Sequence, residues 1–316
     1  MSNFDFGKFQ AYIDEEHITD INYNGHEIWI DHIEKGRYKV SDVMSAHEVE
    51  NFCYRFANYA NKQFNYSYPI LESETDTLRI SLIHNSIAKS GYSISIRKTP
   101  PYLRLHTEEL IASNYATKQL VEYLESKVKK RKNILISGLP GVGKTELLKY
   151  LTTFIVGRER VITIEDNLEI RYNVIHKDKD SVVLKINQNV DYRDAIKASL
   201  RQRVDWLLLS EVRGQEVVEL LQAVSTGSSL ISTIHAESAK LIPKRLLHMF
   251  PGNEIANEKI MYRIFETIDV GIHIESLISE AGIQRYIQEV VTYHIDEFDQ
   301  FQTEVIYEHS KGMVKK

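Results

Sequence analysis

Residues 138–145 of the 316-residue chain read Gly-Leu-Pro-Gly-Val-Gly-Lys-Thr, three glycines followed by a lysine and a hydroxyl side chain. They lie between residues 133–137, an apolar stretch that predicts a strand, and residues 144–156, which predict a helix. Glycines let the backbone curl so that successive N–H groups point inward, and the helix N-terminus adds partial positive charge. The segment therefore predicts a phosphate-binding loop of the G-x-x-x-x-G-K-[ST] type.

This loop predicts a binding site for ATP and Mg²⁺. Lys144 is expected to reach the β- and γ-phosphates, and the Thr145 hydroxyl is expected to coordinate Mg²⁺. A glycine-rich turn with a coincidental lysine is the alternative, and the flanking strand and helix argue against it. The predicted nucleotide-binding residues are Gly138, Leu139, Pro140, Gly141, Val142, Gly143, Lys144, Thr145 and Glu146.

Composition excludes several classes of protein. Hydrophobic residues make up 43% of the chain and charged residues 26%, which is ordinary for a globular protein. The net charge of −5 argues against a protein that coats nucleic acid, so direct nucleic-acid binding is not expected. The single cysteine, Cys53, rules out an internal disulfide and a multi-cysteine zinc site, and its apolar neighbours predict a buried thiol.

Membrane insertion and secretion are not expected either. No apolar run approaches the roughly 18–20 residues of a membrane-spanning helix. The N-terminal residues have neither the basic region nor the apolar region of a secretory signal. We therefore expect a cytoplasmic location without direct insertion into lipid.

The pattern along the chain predicts two domains and a tail. Residues 1–103 predict an N-terminal α+β domain, which ends near the stiff connector Thr99-Pro-Pro101. Residues 104–295 alternate short apolar strands with helices, which predicts an α/β domain whose parallel sheet is covered on both faces. Residues 296–316 predict a C-terminal strand and a tail.

Polar residues follow three of the predicted strands in the second domain. The carboxyl ends of parallel strands meet at one edge of a sheet, so we expect these residues to converge there. Glu165, Glu169 and Glu211 are candidate catalytic carboxylates, and His235 is a candidate sensor of the γ-phosphate or a water-positioning group. Asp166 and Glu211 join Thr145 as candidate Mg²⁺ ligands. Helix capping is the alternative for Asp166 and Glu169, and a structural role is the alternative for His235.

Together these segments resemble the secretion-ATPase superfamily, the traffic ATPases of type II secretion, type IV secretion, conjugation and type IV pili. The resemblance covers about residues 18–294, and the short N-terminal domain with its arginines looks closest to the type IV secretion and conjugation branch. Four boxes appear in the family's order: residues 138–145, Thr163-Ile-Glu-Asp-Asn-Leu-Glu169, Leu200-Arg-Gln-Arg-Val-Asp205 with Ser210-Glu-Val-Arg-Gly214, and Thr226-Gly-Ser-Ser-Leu-Ile-Ser-Thr-Ile-His-Ala236. The chain departs from the usual pattern at Val204, Ser210 and Ser228, where the family commonly has proline, glycine and histidine.

The resemblance implies a RecA-like P-loop NTPase domain joined to a smaller N-terminal domain, in a homo-oligomeric ring of six subunits. It implies that Glu211 acts on the metal or its water, and that either Glu165 or Glu169 activates the attacking water. It also implies that Arg79 and Arg97 approach the phosphates from the N-terminal domain or a neighbouring subunit; exposed strand charges are the alternative. Arg213 is expected to form an ion pair within its box.

The implied activity is ATP hydrolysis that powers secretion, conjugative transfer or pilus-type assembly. The implied partners are membrane-embedded machinery proteins at the cytoplasmic face. Two other functions fit the residues: a DNA-handling RecA-like motor, which would need a basic channel, and a nucleotide-gated scaffold without turnover, which Ser228 favours. The residues leave the cargo and the direction of force open.

Overall fold

The chain divides into two compact units. The computed structural model describes residues 4–251, 257–279 and 282–314. Unit 1 comprises Met1–Pro100 with Ile278–Gln284, and unit 2 comprises Pro101–Leu277 with Arg285–Lys316. The first division falls between the two prolines of the Thr99-Pro-Pro101 connector.

Unit 1 is an antiparallel sheet packed against helices. The strand order is β3-β2-β1-β6-β5-β4. The strands are β1 (Ile18–Tyr23), β2 (Ile28–His32), β3 (Gly36–Lys39), β4 (Ile70–Glu74), β5 (Leu78–Ile83) and β6 (Ser93–Lys98). The helices are α1 (Gln10–Asp14), which follows a 3-10 turn at Gly7–Phe9, and α2 (Ala46–Tyr59).

Helix α2 supplies much of the unit 1 core. It begins with a capping box in which Ser45 and Glu48 bond each other's backbone N–H groups. Phe52 and Phe56 of its buried face pack with Ile80, Ile96 and the other inward residues of the sheet. Cys53 is also buried there, and burial raises the pKa of its thiol to about 12.

Unit 2 contains a nine-stranded sheet in the order β15-β14-β13-β12-β7-β11-β10-β8-β9. Strands β12, β7, β11, β10, β8 and β9 pair in parallel, and β14 pairs antiparallel with β13 and β15. The strands are β7 (Ile134–Ser137), β8 (Val161–Glu165), β9 (Ser181–Lys185), β10 (Trp206–Val212), β11 (Ser229–Ile234), β12 (Val270–Ser279), β13 (Gly282–Ile295), β14 (Phe301–Glu308) and β15 (Gly312–Met313).

Helices cover both faces of this sheet, because successive strand residues point to opposite sides. The helices are α3 (Thr107–Ala112), α4 (Lys118–Lys129), α5 (Lys144–Leu151), α6 (Tyr172–Ile175), α7 (Tyr192–Leu200), α8 (Val217–Ser225), α9 (Ile242–Leu247) and α10 (Asn257–Thr267). Ile134 and Leu208 belong to one core with α4 and α5, whereas Leu135 and Leu207 belong to another with α7, α8 and α10. The predicted α/β domain with a doubly covered parallel sheet is confirmed.

Two elements differ in extent from the sequence expectation. The helix expected over residues 144–156 ends at Leu151 and continues as a 3-10 turn, where the Thr152 hydroxyl bonds the Lys149 carbonyl and competes with the backbone. The strand expected after residue 296 is β14, and β15 adds a further strand where a tail was expected; Tyr307 of β14 is buried in the core. Residues 315–316 of the expected tail lie outside the described residues. Among the helices that the structure describes, none is long and apolar enough to cross a bilayer.

His176, just after α6, leads us to expect that the stability of unit 2 depends on pH. Burial lowers the pKa of His176 to about 4, and its Nε2 lies 2.8 Å from the Thr152 hydroxyl. The folded state therefore holds fewer protons than the unfolded state between about pH 4 and 6.5, so stability falls as pH falls through that window. His176→Gln removes this titration. Between pH 7.5 and pH 5 the free energy of unfolding of the wild type should therefore fall by about 1 kcal/mol more than that of His176→Gln, after allowance for solvent screening.

The measurement is denaturant unfolding in a Trp29→Phe background, in which Trp206 of the buried β10 reports on unit 2. His106→Gln is the matched control, because His106 is exposed and its side chain makes no capping bond. Equal pH dependence in the wild type and His176→Gln would contradict the assignment.

Candidate active site

The glycine-rich loop joins β7 directly to α5. Gly138, Gly141 and Gly143 have φ angles of 150°, 78° and 96°, in the left-handed region that favours glycine. A Cβ at Gly138 would lie 2.6 Å from the Ile274 carbonyl oxygen of the neighbouring strand β12. The loop is therefore packed tightly against the sheet on which it begins.

Lys144, the first residue of α5, is folded back onto this loop. Its Nζ donates to the carbonyl oxygens of Gly138 and Leu139, at 2.9 Å and 3.0 Å, and lies 3.5 Å from Nδ1 of His235. Burial lowers the pKa of the amine, while the charge of Glu211 acts in the opposite direction. The ammonium group is thus held where the loop's backbone and His235 meet.

Glu165, at the end of β8, is fully buried. Its Oε2 accepts hydrogen bonds from the backbone N–H groups of Glu169 and Ile170, both at 2.8 Å. Its Oε1 makes no hydrogen bond with any residue that the structure describes. Burial raises the pKa of Glu165 to about 7. The side chain therefore fixes the turn that follows β8.

Glu169 lies at the end of that turn and faces the loop. The Thr145 hydroxyl donates to its Oε2 at 3.4 Å, a long hydrogen bond. The structure thus brings Glu169, and not Glu165, into contact with the residue expected to hold Mg²⁺.

Glu211 lies within β10, nearly buried, and contacts two other predicted residues. Its Oε2 accepts from Nε of Arg213 at 2.7 Å. Its Oε1 lies 2.9 Å from Nε2 of His235, an ion-pair distance when the imidazole is protonated, in an orientation that makes no hydrogen bond. His235 follows β11 directly, so Glu211, His235 and Lys144 form one continuous group.

Arg213 connects Glu211 to the acidic turn after β8. Its Nη1 donates to Oδ2 of Asp166 at 2.9 Å, while its Nε donates to Glu211. The position of Arg213 depends in turn on Glu216, whose Oε1 accepts from the backbone N–H groups of Arg213 and Gly214 at 2.7 Å and 2.9 Å. One guanidinium therefore holds two of the predicted carboxylates in place.

Sequence reasoning missed two of the side chains that shape this group. Glu216 anchors the loop after β10, and Tyr192 accepts from the Asp166 N–H at 3.1 Å while it contacts the Ser210 hydroxyl at 2.9 Å. Ser210, which contacts Tyr192, stands where the resemblance expects glycine, and this departure was the one sign in the sequence that an additional contact forms here. No sequence pattern identified Glu216 or Tyr192 themselves.

The predicted arginines belong to unit 1 and form a separate pair. Arg79 of β5 and Arg97 of β6 are partners in the strand register. Nε of Arg97 donates to Oδ1 of Asp20 at 2.6 Å. The side chain of Arg79 makes no hydrogen bond or ion pair with any residue in the described ranges.

The oxygen atoms present fit a magnesium ion held together with phosphates. Mg²⁺ is usually bound by one or two carboxylates, substrate phosphates and water, and rarely by a cage of protein ligands alone. Within residues 4–251, 257–279 and 282–314, no cluster of three or more His, Cys, Asp or Glu side chains could hold a metal ion by itself. The Thr145 hydroxyl and the unbonded Oε1 of Glu211 are hard oxygen donors, whereas Oδ2 of Asp166 already accepts from Arg213.

Comparison with known proteins agrees with this arrangement. Residues 69–289, well over half of the chain, match the family model described as type II/IV secretion system protein. An uncharacterized protein of Bacillus anthracis is 28% identical over 90% of this chain and 66% of its own length. The conjugal transfer protein TrbB of Rhizobium radiobacter is 28% identical over 68% of this chain and 64% of its own length. The chain thus spans less than two thirds of these two relatives.

A solved structure shares the fold. The Legionella pneumophila ATPase DotB superposes with a TM-score of 0.71 over 92% of this chain and 80% of its own, at 18% identity. An identity this low bears on the fold alone, and it agrees with the RecA-like P-loop architecture. The family resemblance drawn from the four boxes is confirmed by the family match.

The close approach of Gly138 to β12 gives a stability prediction. In Gly138→Ala the new Cβ meets the Ile274 carbonyl oxygen at 2.6 Å and Val142 at 2.8 Å, so we expect a loss of about 2–4 kcal/mol. In Gly141→Ala nothing lies within 4 Å of the new Cβ, so the cost should be only the strained φ, about 1 kcal/mol. Denaturant unfolding of the two variants checks the difference, and equal losses would contradict it.

Proposed function

The chain belongs to the type II/IV secretion system protein family, and we propose that it hydrolyses ATP to power a step of macromolecular secretion or conjugative transfer. The observation that carries this proposal is the convergence of Glu169, Glu211 and His235 on Lys144 and Thr145 of the phosphate-binding loop. Such a set supplies the parts that phosphoryl transfer requires: a phosphate cradle, carboxylates near the metal, and a polar group beside the γ-phosphate.

In this proposal Lys144 changes partners when ATP binds. Its ammonium group now bonds two loop carbonyls, and a phosphate oxygen would offer it a charged acceptor at the same place. Thr145 and Glu211 would hold Mg²⁺, with Asp166 as a further carboxylate of that group. The metal supplies charge neutralisation for the phosphates when it is bound.

Glu169 is the better candidate for the base that activates water. It faces Thr145, whereas both N–H groups bonded to Glu165 belong to the backbone of the turn. A general base must first be within reach of the proton that it removes, and only then does its pKa matter. Glu165 would therefore hold the turn, and Glu169 would perform the proton transfer.

His235 would report the presence of the γ-phosphate to Glu211. It lies between Nζ of Lys144 and Oε1 of Glu211, so movement of the lysine toward a phosphate changes both of its contacts. Arg79 and Arg97 of unit 1 would reach the nucleotide from their own subunit or from a neighbour. An arginine that acts in this way increases kcat by about 10³–10⁵-fold.

We propose that six copies form a ring at the cytoplasmic face of a membrane, attached through machinery proteins. Hydrolysis would release contacts between the nucleotide and unit 1 and let the Thr99-Pro-Pro101 connector hinge. The identity to a conjugal transfer protein and the type II/IV family match support the type IV secretion and conjugation branch. Protein, DNA and pilin cargoes all agree with the residues described.

Turnover by the purified protein tests the proposal. Lys144→Ala and Glu211→Gln should each lower kcat by at least about 100-fold, because they remove a phosphate ligand and a carboxylate needed for the reaction. Lys118→Ala, an exposed lysine of α4, is the control and should keep full activity. Activity should rise with protein concentration as a six-subunit species forms, with mass measured in parallel.

Two other outcomes would contradict the proposal. Tight ATP binding without turnover at any concentration would leave a nucleotide-gated scaffold. Turnover that depends on single-stranded DNA, with binding that weakens steeply with salt, would indicate a DNA-handling motor.

The choice of base has its own test. Glu169→Gln should lower kcat by about 10²–10⁴-fold and leave the KM for ATP nearly unchanged, because the amide cannot accept a proton. Glu165→Gln keeps an oxygen that can accept from the turn's N–H groups, so its loss of kcat should be much smaller. The reverse order of effects would make Glu165 the base.

A further inference from the structure

Four residues after His235, the chain is bonded to strand β13 by the carboxylate of Glu289. Its Oε1 accepts from the backbone N–H of Ala239 at 2.7 Å and, more weakly, from that of Lys240 at 3.4 Å. Its Oε2 lies 3.1 Å from Nζ of Lys240. Glu289 is only 6% exposed, so its charge-assisted bond to Ala239 is formed largely out of water, where such a bond is strong.

Tyr293 of the same strand bonds the other backbone polar group of Ala239. Its hydroxyl donates to the Ala239 carbonyl oxygen at 2.5 Å, and its ring is buried in the core of unit 2. Gly271 of β12 leaves the space for it, since a Cβ at that position would overlap the Tyr293 hydroxyl. Ala239 is thus held through its N–H by Glu289 and through its C=O by Tyr293; we call this pair of contacts the β13 bracket.

The β13 bracket limits where His235 can lie. On its N-terminal side, Ile234 is fixed in the sheet opposite Ser137 of β7 and Val212 of β10. On its C-terminal side, the bracket fixes Ala239. Only residues 235–238 lie between these two anchors, and neither bracket residue contacts Lys144 or Glu211 directly in the bonds described.

We propose that Glu289 and Tyr293 are positioning residues for His235, which they hold against Glu211 and Lys144 by fixing the segment that follows it. The inference depends on the proposed function in one respect, the use of His235 during hydrolysis. Without the bracket, residues 235–238 gain freedom, and His235 spends less time in the arrangement that the reaction needs. A displacement of about 1 Å at such a site costs up to roughly 100-fold in rate.

The test compares kcat and the KM for ATP in three variants and a matched control. Glu289→Ala should lower kcat by roughly 10- to 100-fold and change KM little, since the phosphate loop is not part of the bracket. In Glu289→Gln kcat should fall less, because the amide oxygen can still accept from the Ala239 N–H. In Tyr293→Phe the loss of kcat should be intermediate. Glu308→Ala is the control: Glu308 lies opposite Glu289 in the β13–β14 register and makes no bond to Ala239.

A second cycle separates positioning from general destabilisation. In a His235→Ala background, Glu289→Ala should cause no further fall in kcat, because the side chain that it positions is gone. Losses that multiply in the double variant would show that Glu289 does not act through His235. Wild-type kcat in both Glu289→Ala and Tyr293→Phe would also overturn the inference.

Amide hydrogen exchange keeps the inference testable if the wild type shows no turnover, an outcome that refutes the proposed function alone. Amide hydrogens in peptides that cover residues 235–241 should exchange faster than in the wild type in Glu289→Ala and in Tyr293→Phe. In Glu308→Ala their exchange rate should equal that of the wild type. Equal exchange in the wild type and both bracket variants would mean that β13 does not fix this segment.

Discussion

The parallel pairing of β7 with β11 is the contact on which the candidate site depends. It sets Ser137, the last residue before the glycine-rich loop, beside Ile234, the last residue before His235. Pairing of β11 with β10 then sets Glu211 one strand further along the same edge, and β8 adds Glu165 beyond it. A slip of this register by one residue would exchange the two faces of the strand and separate Lys144 from His235.

Charge balance explains why this edge is stable before any ligand binds. Glu211 is nearly buried and Asp166 is partly exposed, and Arg213 lies between the two carboxylates with one donor on each. Its own position is fixed by two backbone N–H groups that donate to Glu216. A buried carboxylate without a partner would be costly, so the loop after β10, which holds Arg213, is part of what keeps Glu211 in place.

The sequence allowed candidate site residues to be assigned where they lie in short motifs directly after predicted strands. A parallel sheet places every strand's carboxyl end at one edge, so the loop, Glu165, Glu211 and His235 were all assigned from short motifs. Glu289 and Tyr293 could not be assigned in this way, because they act on Ala239 from about fifty residues further along the chain. The C-terminal strands were underestimated for a similar reason: β14 reads as polar and aromatic, and only its pairing with β13 shows that Ile306 and Tyr307 face the core.

In the proposed mechanism, Glu165 and Glu169 differ in the two properties by which a catalytic base is sought, its pKa and its position. A carboxyl group whose pKa is raised to about 7 matches the value that general-base catalysis favours, and by that criterion Glu165 would be chosen. Yet the same burial that raises its pKa also removes it from solvent, while its one bonded oxygen holds the backbone of the turn. Glu169 is less buried, but it touches the hydroxyl beside which the reaction would occur. Burial raises the pKa of Glu165, whereas its bonds to the turn's N–H groups lower it, so the raised pKa is not a sign of how these bonds hold the turn that carries Glu169.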